Sequence, residues 1–271
     1  MKNITLTLLL ILSVLQLKAQ KPDSEAILKE GKQLYRLEKA AWYSTDHFLA
    51  NFQDQRDSIG GYLSYEGTDG LVYSIFFSRF DNFQILARYQ FQNTPTPEPN
   101  WVSTKDNTPI SLESDLITIR QNTMNMIYAE GNDFFTFYEN TSFNPIPIID
   151  GNERRVYVLT ASQKQGSVFI GNDYLLEYDL SNNLKSKIKL HNSLIELPFK
   201  APNGQKVTAT MHTHIISEHI DPTDICTLLL YKDYVDWSQH ITINKKYVSI
   251  LDLQNENLAI MTKKAFEKMR K

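Results

Sequence analysis

The stretch from Val207 to Cys226 constrains the fold more than any other part of this chain, and it reads VTATMHTHIISEHIDPTDIC. Its first eight residues alternate between two sets of side chains, one largely apolar and one polar. This period of two predicts a half-buried strand. His212 and His214 fall on the polar face at the end of that strand, and Asp221-Pro222 then predicts the start of a helix.

Two imidazoles and a carboxylate are expected to converge where this strand ends and this helix begins. Two residues of a strand span about 7 Å, so His212 and His214 can reach one ion. Asp224, in the first turn of the predicted helix, can supply a third ligand. Two histidines and one aspartate with an open fourth position are typical of a catalytic zinc site.

The N-terminus has the pattern of a secretory signal peptide. Lys2 precedes a mostly apolar run from Ile4 to Leu17, which is followed by Lys18 and Ala19. Because spanning a bilayer takes about 20 apolar residues, the run favours a cleaved signal peptide over a membrane helix. We therefore predict that residues 1–19 are removed and that an exported bacterial protein without a membrane span remains, either periplasmic or secreted.

Charge and cysteine content narrow the class of protein. Without residues 1–19 the chain has 26 basic and 31 acidic residues, a net charge of −5. This mildly acidic balance gives no electrostatic basis for binding nucleic acid. Cys226 is the single cysteine, so stability has to come from an apolar core, for which 42% of the residues are hydrophobic.

Hydrophobic periodicity predicts an α+β fold of mixed α/β character. Helices are predicted over residues 23–51, 111–130, 222–234 and 263–271. Strands are predicted over 62–65, 71–78, 82–92, 134–138, 155–161, 167–170, 174–179, 184–190, 206–214, 241–244, 248–253 and 258–262. Two prolines and a glycine in FNPIPIIDGN indicate a boundary near residue 150. It separates an N-terminal helix and antiparallel meander, residues 20–150, from a second domain, residues 151–271.

The histidine strand and the helix start after it resemble the motif of the JAMM (MPN-domain) metalloproteases, H-x-H followed by S-x-x-D. His212-Thr213-His214 matches the first part, and Asp221-Pro222-Thr223-Asp224 matches the second apart from the serine. The resemblance implies a JAB-like mixed sheet with helices in the C-terminal half, with Zn²⁺ on His212, His214 and Asp224. It also implies hydrolysis of a peptide or isopeptide bond in a peptide or protein substrate.

The family also uses a glutamate as base and the motif's serine at the oxyanion. Asp221 occupies the serine position here, so the hydroxyl would come from Ser217 or Thr223. Glu153 precedes the histidines by 59 residues, which suits the family's order, and Glu177 is the other candidate base. The choice between the two glutamates stays open.

Several of these residues have a second interpretation. Asp224 falls at the third helical position, where a carboxylate can also bond the N–H of the cap residue. His219, in the loop between the predicted ligands, is interpreted as a solvated loop residue. His47, His191 and His240 have no partners in the sequence pattern and are interpreted as structural.

Two functions follow as hypotheses. The first is an exported zinc-dependent hydrolase with a JAMM-like C-terminal domain. The second is a non-catalytic envelope protein that keeps a degenerate metalloprotease scaffold for binding. The substrate and the oligomeric state are left open by the sequence.

Overall fold

The computed structural model describes residues 22–80, 83–129, 131, 133–201 and 203–269. The predicted signal peptide, residues 1–19, lies outside the described residues. Within these ranges, none of the helices combines the length and the apolar character that crossing a membrane requires. The described chain is an α+β protein, as predicted.

The helices and strands follow the predicted order closely. The α-helices are α1 (Ser24–Asn51), α2 (Ser111–Ile127), α3 (Pro222–Tyr231) and α4 (Lys263–Met269). The strands are β1 (Ile59–Glu66), β2 (Val72–Ser78), β3 (Ile85–Phe91), β4 (Trp101–Ser103), β5 (Thr141–Asp150), β6 (Glu153–Ser162), β7 (Ser167–Gly171), β8 (Tyr174–Tyr178), β9 (Leu184–Lys189), β10 (Leu194–Pro198), β11 (Ala209–Thr213), β12 (Gln239–Ile243), β13 (Tyr247–Asp252) and β14 (Asn257–Thr262). They form sheets in the orders β1-β2-β3-β4, β5-β6-β8-β9, β10-β7 and β11-β12-β13-β14.

The N-terminal region is the predicted helix and antiparallel meander. Asp23 caps α1 by accepting hydrogen bonds from the backbone N–H groups of Glu25 and Ala26 at 3.0 and 3.1 Å. The buried face of α1 contributes Leu34, Leu37 and other apolar residues to a core shared with the meander. The helix therefore forms because it covers one face of the sheet as well as because it is capped.

One fully buried carboxylate ties α2 to the meander. Glu113 accepts hydrogen bonds from Nε and Nη2 of Arg88 at 2.8 and 2.7 Å, and from the hydroxyl of Tyr65 at 2.8 Å. It also accepts one from the backbone N–H of Ile110 at 3.0 Å. Both oxygens are therefore satisfied, as the burial of a charge requires.

The segment FNPIPIIDGN, at which the sequence predicts a boundary, does not interrupt the sheet, because its first eight residues form most of β5. Pro145 and Pro147 lie opposite Val158 and Val156 of β6. β5 is the edge strand of its sheet, and a proline is tolerated there because no further strand needs its missing N–H. The boundary predicted near residue 150 lies in the turn of the β5–β6 hairpin. One core cluster contains residues from both sides of this position, and the division into two domains stays a prediction.

The strand predicted over residues 134–138 is also wrong. These residues form bends and irregular structure. Phe135 is buried against Tyr174 and Phe143, with ring centroids 4.8 and 5.8 Å apart. The backbone N–H of Thr136 donates to the Tyr174 hydroxyl at 2.8 Å. Side-chain packing, and not a strand ladder, therefore accounts for the aromatic run.

The close contact between α1 and α3 fixes the helix that carries Asp224. A Cβ added to Gly31 would lie 2.6 Å from Cβ of Ile225 and 3.1 Å from the carbonyl oxygen of Pro222. Only a glycine in α1 lets the two helices approach this closely. Further along α3, Cys226 is fully buried.

The C-terminal sheet is mixed, as predicted for this half of the chain. β11 pairs in parallel with β12, whereas β12, β13 and β14 pair as antiparallel neighbours. The register places His212 opposite Thr242 and Thr210 opposite His240. This pairing brings His240, remote in sequence, beside the histidine strand.

Candidate metal centre

Four buried side chains converge at the end of β11. His212 lies near the end of β11 with its side chain buried, and His214 is the first residue after this strand. Asp224 lies in the first turn of α3. His191 enters from the segment between β9 and β10. One ligand atom from each of the four residues lies within 4.8 Å of the other three, so the group can hold a metal ion.

The histidine face of β11 is the buried one. His212 and His214 are each 6% exposed, whereas Met211, on the opposite face, is 56% exposed. The alternation of the sequence is therefore correct in period, but its polar side faces the interior. A buried imidazole nitrogen without a hydrogen-bond partner or a metal ion costs free energy, so polar groups are expected around this site.

The three Nε2 atoms point toward one carboxylate. Oδ1 of Asp224 lies 3.0 Å from Nε2 of His191, and Oδ2 lies 3.0 Å from Nε2 of His214 and 3.7 Å from Nε2 of His212. Within the described part of the chain, these three nitrogens and Oδ1 have no hydrogen-bond partner. Oδ2 also accepts the backbone N–H of Asp221 at 3.1 Å, so Asp224 combines capping with its place in the cluster.

The other ring nitrogen of His214 is held by a carbonyl group. Nδ1 of His214 lies 2.7 Å from the backbone oxygen of His219. A carbonyl oxygen only accepts, so Nδ1 carries the proton. In the neutral ring, Nε2 then carries a lone pair that faces the Asp224 carboxylate. This nitrogen and the carboxylate oxygen are both acceptors and repel each other unless a cation or a proton lies between them.

A chain of side chains fixes His212 in the same way. Nδ1 of His212 lies 2.7 Å from Nε2 of His240, and Nδ1 of His240 lies 2.7 Å from the Thr210 hydroxyl. Burial lowers the pKa of His212 to about 4 and that of His240 to about 3, so both rings are neutral. If Nδ1 of His212 donates along this chain, Nε2 is left as a free lone pair. Such outer partners are typical of metal-binding histidines.

His191 also has a carboxylate behind it. Nδ1 of His191 lies 3.7 Å from Oδ2 of Asp173, a buried residue whose Oδ1 accepts the backbone N–H of Thr160 at 2.9 Å. At 3.7 Å this contact is too long for a hydrogen bond, so Asp173 acts on His191 through its charge. Nδ1 of His212 and of His214 is hydrogen-bonded, and all three imidazoles present Nε2 to the common point.

The charges of the cluster favour a bound cation. Burial alone would raise the pKa of Asp224, but His191 and His214 outweigh it and hold this pKa well below its usual range. Burial alone would lower the pKa of His191, but Asp224, Asp173 and Asp221 raise it to about 10. Without a metal, the buried carboxylate thus needs a protonated imidazole beside it. A divalent ion can take the place of that proton.

The geometry suits a four-coordinate ion. In a tetrahedral site with bonds of 2.0–2.1 Å, neighbouring ligand atoms are roughly 3.4 Å apart. No two of the four ligand atoms are more than 4.8 Å apart. Side-chain rotation therefore has to shorten the longest of these distances by roughly 1.4 Å at most. Nitrogen and oxygen donors of this kind suit zinc and its transition-metal neighbours.

A small cavity opens onto the imidazoles. It has a volume of about 20 Å³ and is lined by His191, His212 and His214 together with Ser193 and Ile216, among other residues. A space of about 10–15 Å³ is enough for one water molecule. A water can therefore stand against the ligand cluster on its outer side.

Asp221 is a second carboxylate at the cluster. Its Oδ2 accepts the Ser217 hydroxyl at 2.6 Å and lies 3.7 Å from both Nε2 of His191 and Nδ1 of His214. Burial and the neighbouring Asp224 raise the pKa of Asp221. Ser217, one of the two predicted hydroxyl residues, therefore contacts the site through Asp221.

The structure brings together His212, His214 and Asp224 as predicted, but neither predicted glutamate. Glu153 is 71% exposed and lies against Arg155 at 3.7 Å. Glu177 accepts the Ser186 hydroxyl at 2.6 Å, and it lies four residues, roughly 13 Å of strand, beyond Asp173. The geometry therefore does not support either residue as the base. Thr223 is fully buried in the first turn of α3.

Three residues of the centre lie outside the sequence prediction. The sequence pattern indicates a structural role for His191 and His240 and does not single out Asp173. His191 lies two residues after the end of β9, and a histidine near a strand end is the weak signal that could have found it. The parallel β11–β12 pairing that brings in His240 has no signal in a single sequence, because register depends on the whole sheet.

The residue behind His212 can be tested directly. In His240→Ala we expect the affinity for zinc to fall about 10–100-fold, because Nδ1 of His212 loses its partner and the ring its fixed orientation. A competition titration against a chromophoric chelator measures this. His47→Ala removes a histidine that contacts Tyr89 and should leave the affinity unchanged. Equal affinities for all three proteins would contradict the role of His240.

Comparisons with protein-family models, curated proteins and solved structures found no match.

Proposed function

We propose that this protein is a zinc-dependent hydrolase whose ion is bound by His191, His212, His214 and Asp224. The observation that carries the proposal is the convergence of three buried Nε2 atoms on one carboxylate, with Nδ1 of His212 and of His214 held by hydrogen-bond partners. A zinc ion held by these four side chains would supply Lewis acidity and, if it also bound a water beside them, would lower the pKa of that water toward neutrality. The residues around the ion have to leave room for that water, and one of them has to accept its proton.

The cavity beside the imidazoles supports a hydrolytic role over a purely structural one. It has room for one water on the outer side of the cluster. Ile215 and Ile216 line it and are 74% and 47% exposed. Exposed apolar side chains beside a polar centre suit a peptide or isopeptide substrate with apolar groups next to the scissile bond.

We assign the acceptance of the proton to Asp221. Its Oδ2 lies 3.7 Å from Nε2 of His191, whereas Asp173 lies 3.7 Å from Nδ1 on the other side of that ring, and the Ser217 hydroxyl donates to Asp221. It takes the role that the JAMM family gives to a glutamate on an earlier strand. The H-x-H strand followed by an aspartate in the first turn of a helix supports a JAMM-like hydrolase, whereas His191 as a fourth ligand departs from that pattern. Export to the bacterial envelope rests on the sequence of residues 1–19.

The proposal is tested with zinc-loaded protein and a panel of fluorogenic peptide and isopeptide substrates. We expect turnover that falls by at least about a hundredfold in Asp221→Asn, because the proton acceptor is lost. The variant should still bind one zinc. Glu153→Gln is the matched control and should keep full activity. Activity that survives in Asp221→Asn but disappears in Glu153→Gln would contradict the assignment.

A second function is favoured by the number of ligands. Four protein ligands are the complement of a closed structural zinc site, in which the metal contributes to folding. In that case zinc binds with the same residues and stabilises the protein, but no substrate of the panel is hydrolysed. The protein would then be the non-catalytic envelope binding protein of the alternative hypothesis.

A further inference from the structure

A second cavity lies between α1, β5, β6 and α3, away from the metal ligands. Its volume is about 140 Å³. The residues that define its chemistry are Glu38, Trp42, Tyr62, Asn144 and Tyr231. None of the four metal ligands lines it, so any ligand bound there would not touch the metal centre.

Glu38 contributes a buried carboxyl group to the lining of the cavity, and this group has unused hydrogen-bond acceptor sites. Glu38 is 6% exposed, and its Oε2 accepts one hydrogen bond from the Asn144 amide at 2.6 Å. Among the residues that the structure describes, Asn144 is its one hydrogen-bond partner. Burial raises the pKa of Glu38 to about 7. A carboxylate offers about four acceptor sites, so most of its acceptor capacity is free for a ligand.

The charge of Glu38 is only partly offset by the protein. Arg120 acts on it electrostatically and lowers its pKa, but this guanidinium does not line the cavity. It lies instead over the rings of Tyr62 and Phe77, 5.5 and 5.9 Å from their centroids. Glu38 is therefore the one charged group among the residues that line the cavity.

The walls and the entrance are aromatic. Trp42 and Tyr231 pack edge to face with centroids 5.7 Å apart. The same two residues, with Phe199 and the 60% exposed Tyr234, line an adjoining, largely apolar depression at the surface, to which Lys164 also contributes. Aromatic faces attract cations, and a carboxylate at the end of an aromatic-lined path is complementary to a positively charged group with an apolar body.

We propose that this cavity binds a small primary ammonium compound, with the ammonium group on Glu38 and the apolar part against Trp42 and Tyr231. The size is suitable, because an engineered cavity of about 150 Å³ in another protein takes up benzene. The aromatic side chains at the entrance favour a ligand with a compact apolar part. Glu38 favours a positively charged ligand over a neutral molecule of the same shape.

The experiment is an isothermal titration of the full protein with n-butylammonium chloride at constant ionic strength. 1-Butanol, similar in shape and neutral, is titrated in parallel. We expect saturable binding of n-butylammonium, at least about tenfold tighter than that of 1-butanol, because a charge-assisted hydrogen bond is formed only by the ammonium.

Two variants locate the site. Glu38→Gln should weaken n-butylammonium binding at least about tenfold, because it keeps the shape of the side chain and removes its charge. Glu25→Gln, at an exposed position of α1, makes the same change of charge outside the cavity and should leave binding unchanged. If Glu38→Gln does not fold, the comparison of the two compounds on the unsubstituted protein decides. The proposal is overturned if n-butylammonium does not bind saturably, if 1-butanol binds equally well, or if the two variants bind alike.

Discussion

His191→Ala is expected to lower the zinc affinity of the protein by more than about a hundredfold. The substitution removes one of four ligands, and the loss should exceed the 10–100-fold effect of an outer partner. It also leaves the fully buried Asp224 carboxylate with one partner fewer, since Nε2 of His191 lies 3.0 Å from it. Mass spectrometry of the metal content after dialysis and a chelator competition measure the change.

A histidine of the same region provides the control for this experiment. The ring of His219 bonds the carbonyl group of the adjacent Ile220 through Nδ1 and is half-buried. Its backbone oxygen, but not its ring, contacts the cluster. His219→Ala should therefore bind zinc like the unsubstituted protein. If His191→Ala retains one tightly bound zinc, the four-ligand centre is wrong and His191 is only a neighbour.

Glu113→Ala is expected to lower the free energy of unfolding by about 3–5 kcal/mol. The substitution leaves the Arg88 guanidinium buried without the carboxylate that accepts two of its hydrogen bonds. It also removes the acceptor of the Tyr65 hydroxyl and of the Ile110 N–H. Urea denaturation followed by circular dichroism measures the difference.

The same arginine supplies a matched control. Asp106 lies 3.4 Å from Nη1 of Arg88, but its side chain is 65% exposed. Water can replace this partner, so Asp106→Asn should change the stability much less than Glu113→Ala. Equal effects of the two substitutions would show that the burial of Glu113 does not govern its contribution.

Much of the fold could be predicted because local patterns and tertiary packing agree. Asp23 followed by a period of 3.6 residues indicates α1, and the structure begins that helix one residue later. Alternation and turn residues likewise locate the meander and the three C-terminal strands. The exceptions arise where tertiary context overrides the local signal. β5 tolerates Pro145 and Pro147 because it is an edge strand, and edge position depends on the other strands.

The candidate site was predictable only as far as its residues are close in sequence. His212, His214 and Asp224 share one strand–loop–helix unit, so their spacing alone indicates convergence. His191 and Asp173 reach the cluster from segments between other strands through tertiary packing. The histidines also lie on the buried face of β11, next to polar groups from other parts of the fold. A sequence pattern contains the period of a strand, but not which face the fold covers.

The most direct test of the metal centre is an X-ray diffraction experiment on crystals of the zinc-treated protein at the zinc absorption edge. The account predicts one anomalous peak per chain, about 2.0–2.2 Å from Nε2 of His191, His212 and His214 and from an oxygen of Asp224. No peak at this position, or a peak bound by other residues, would contradict it.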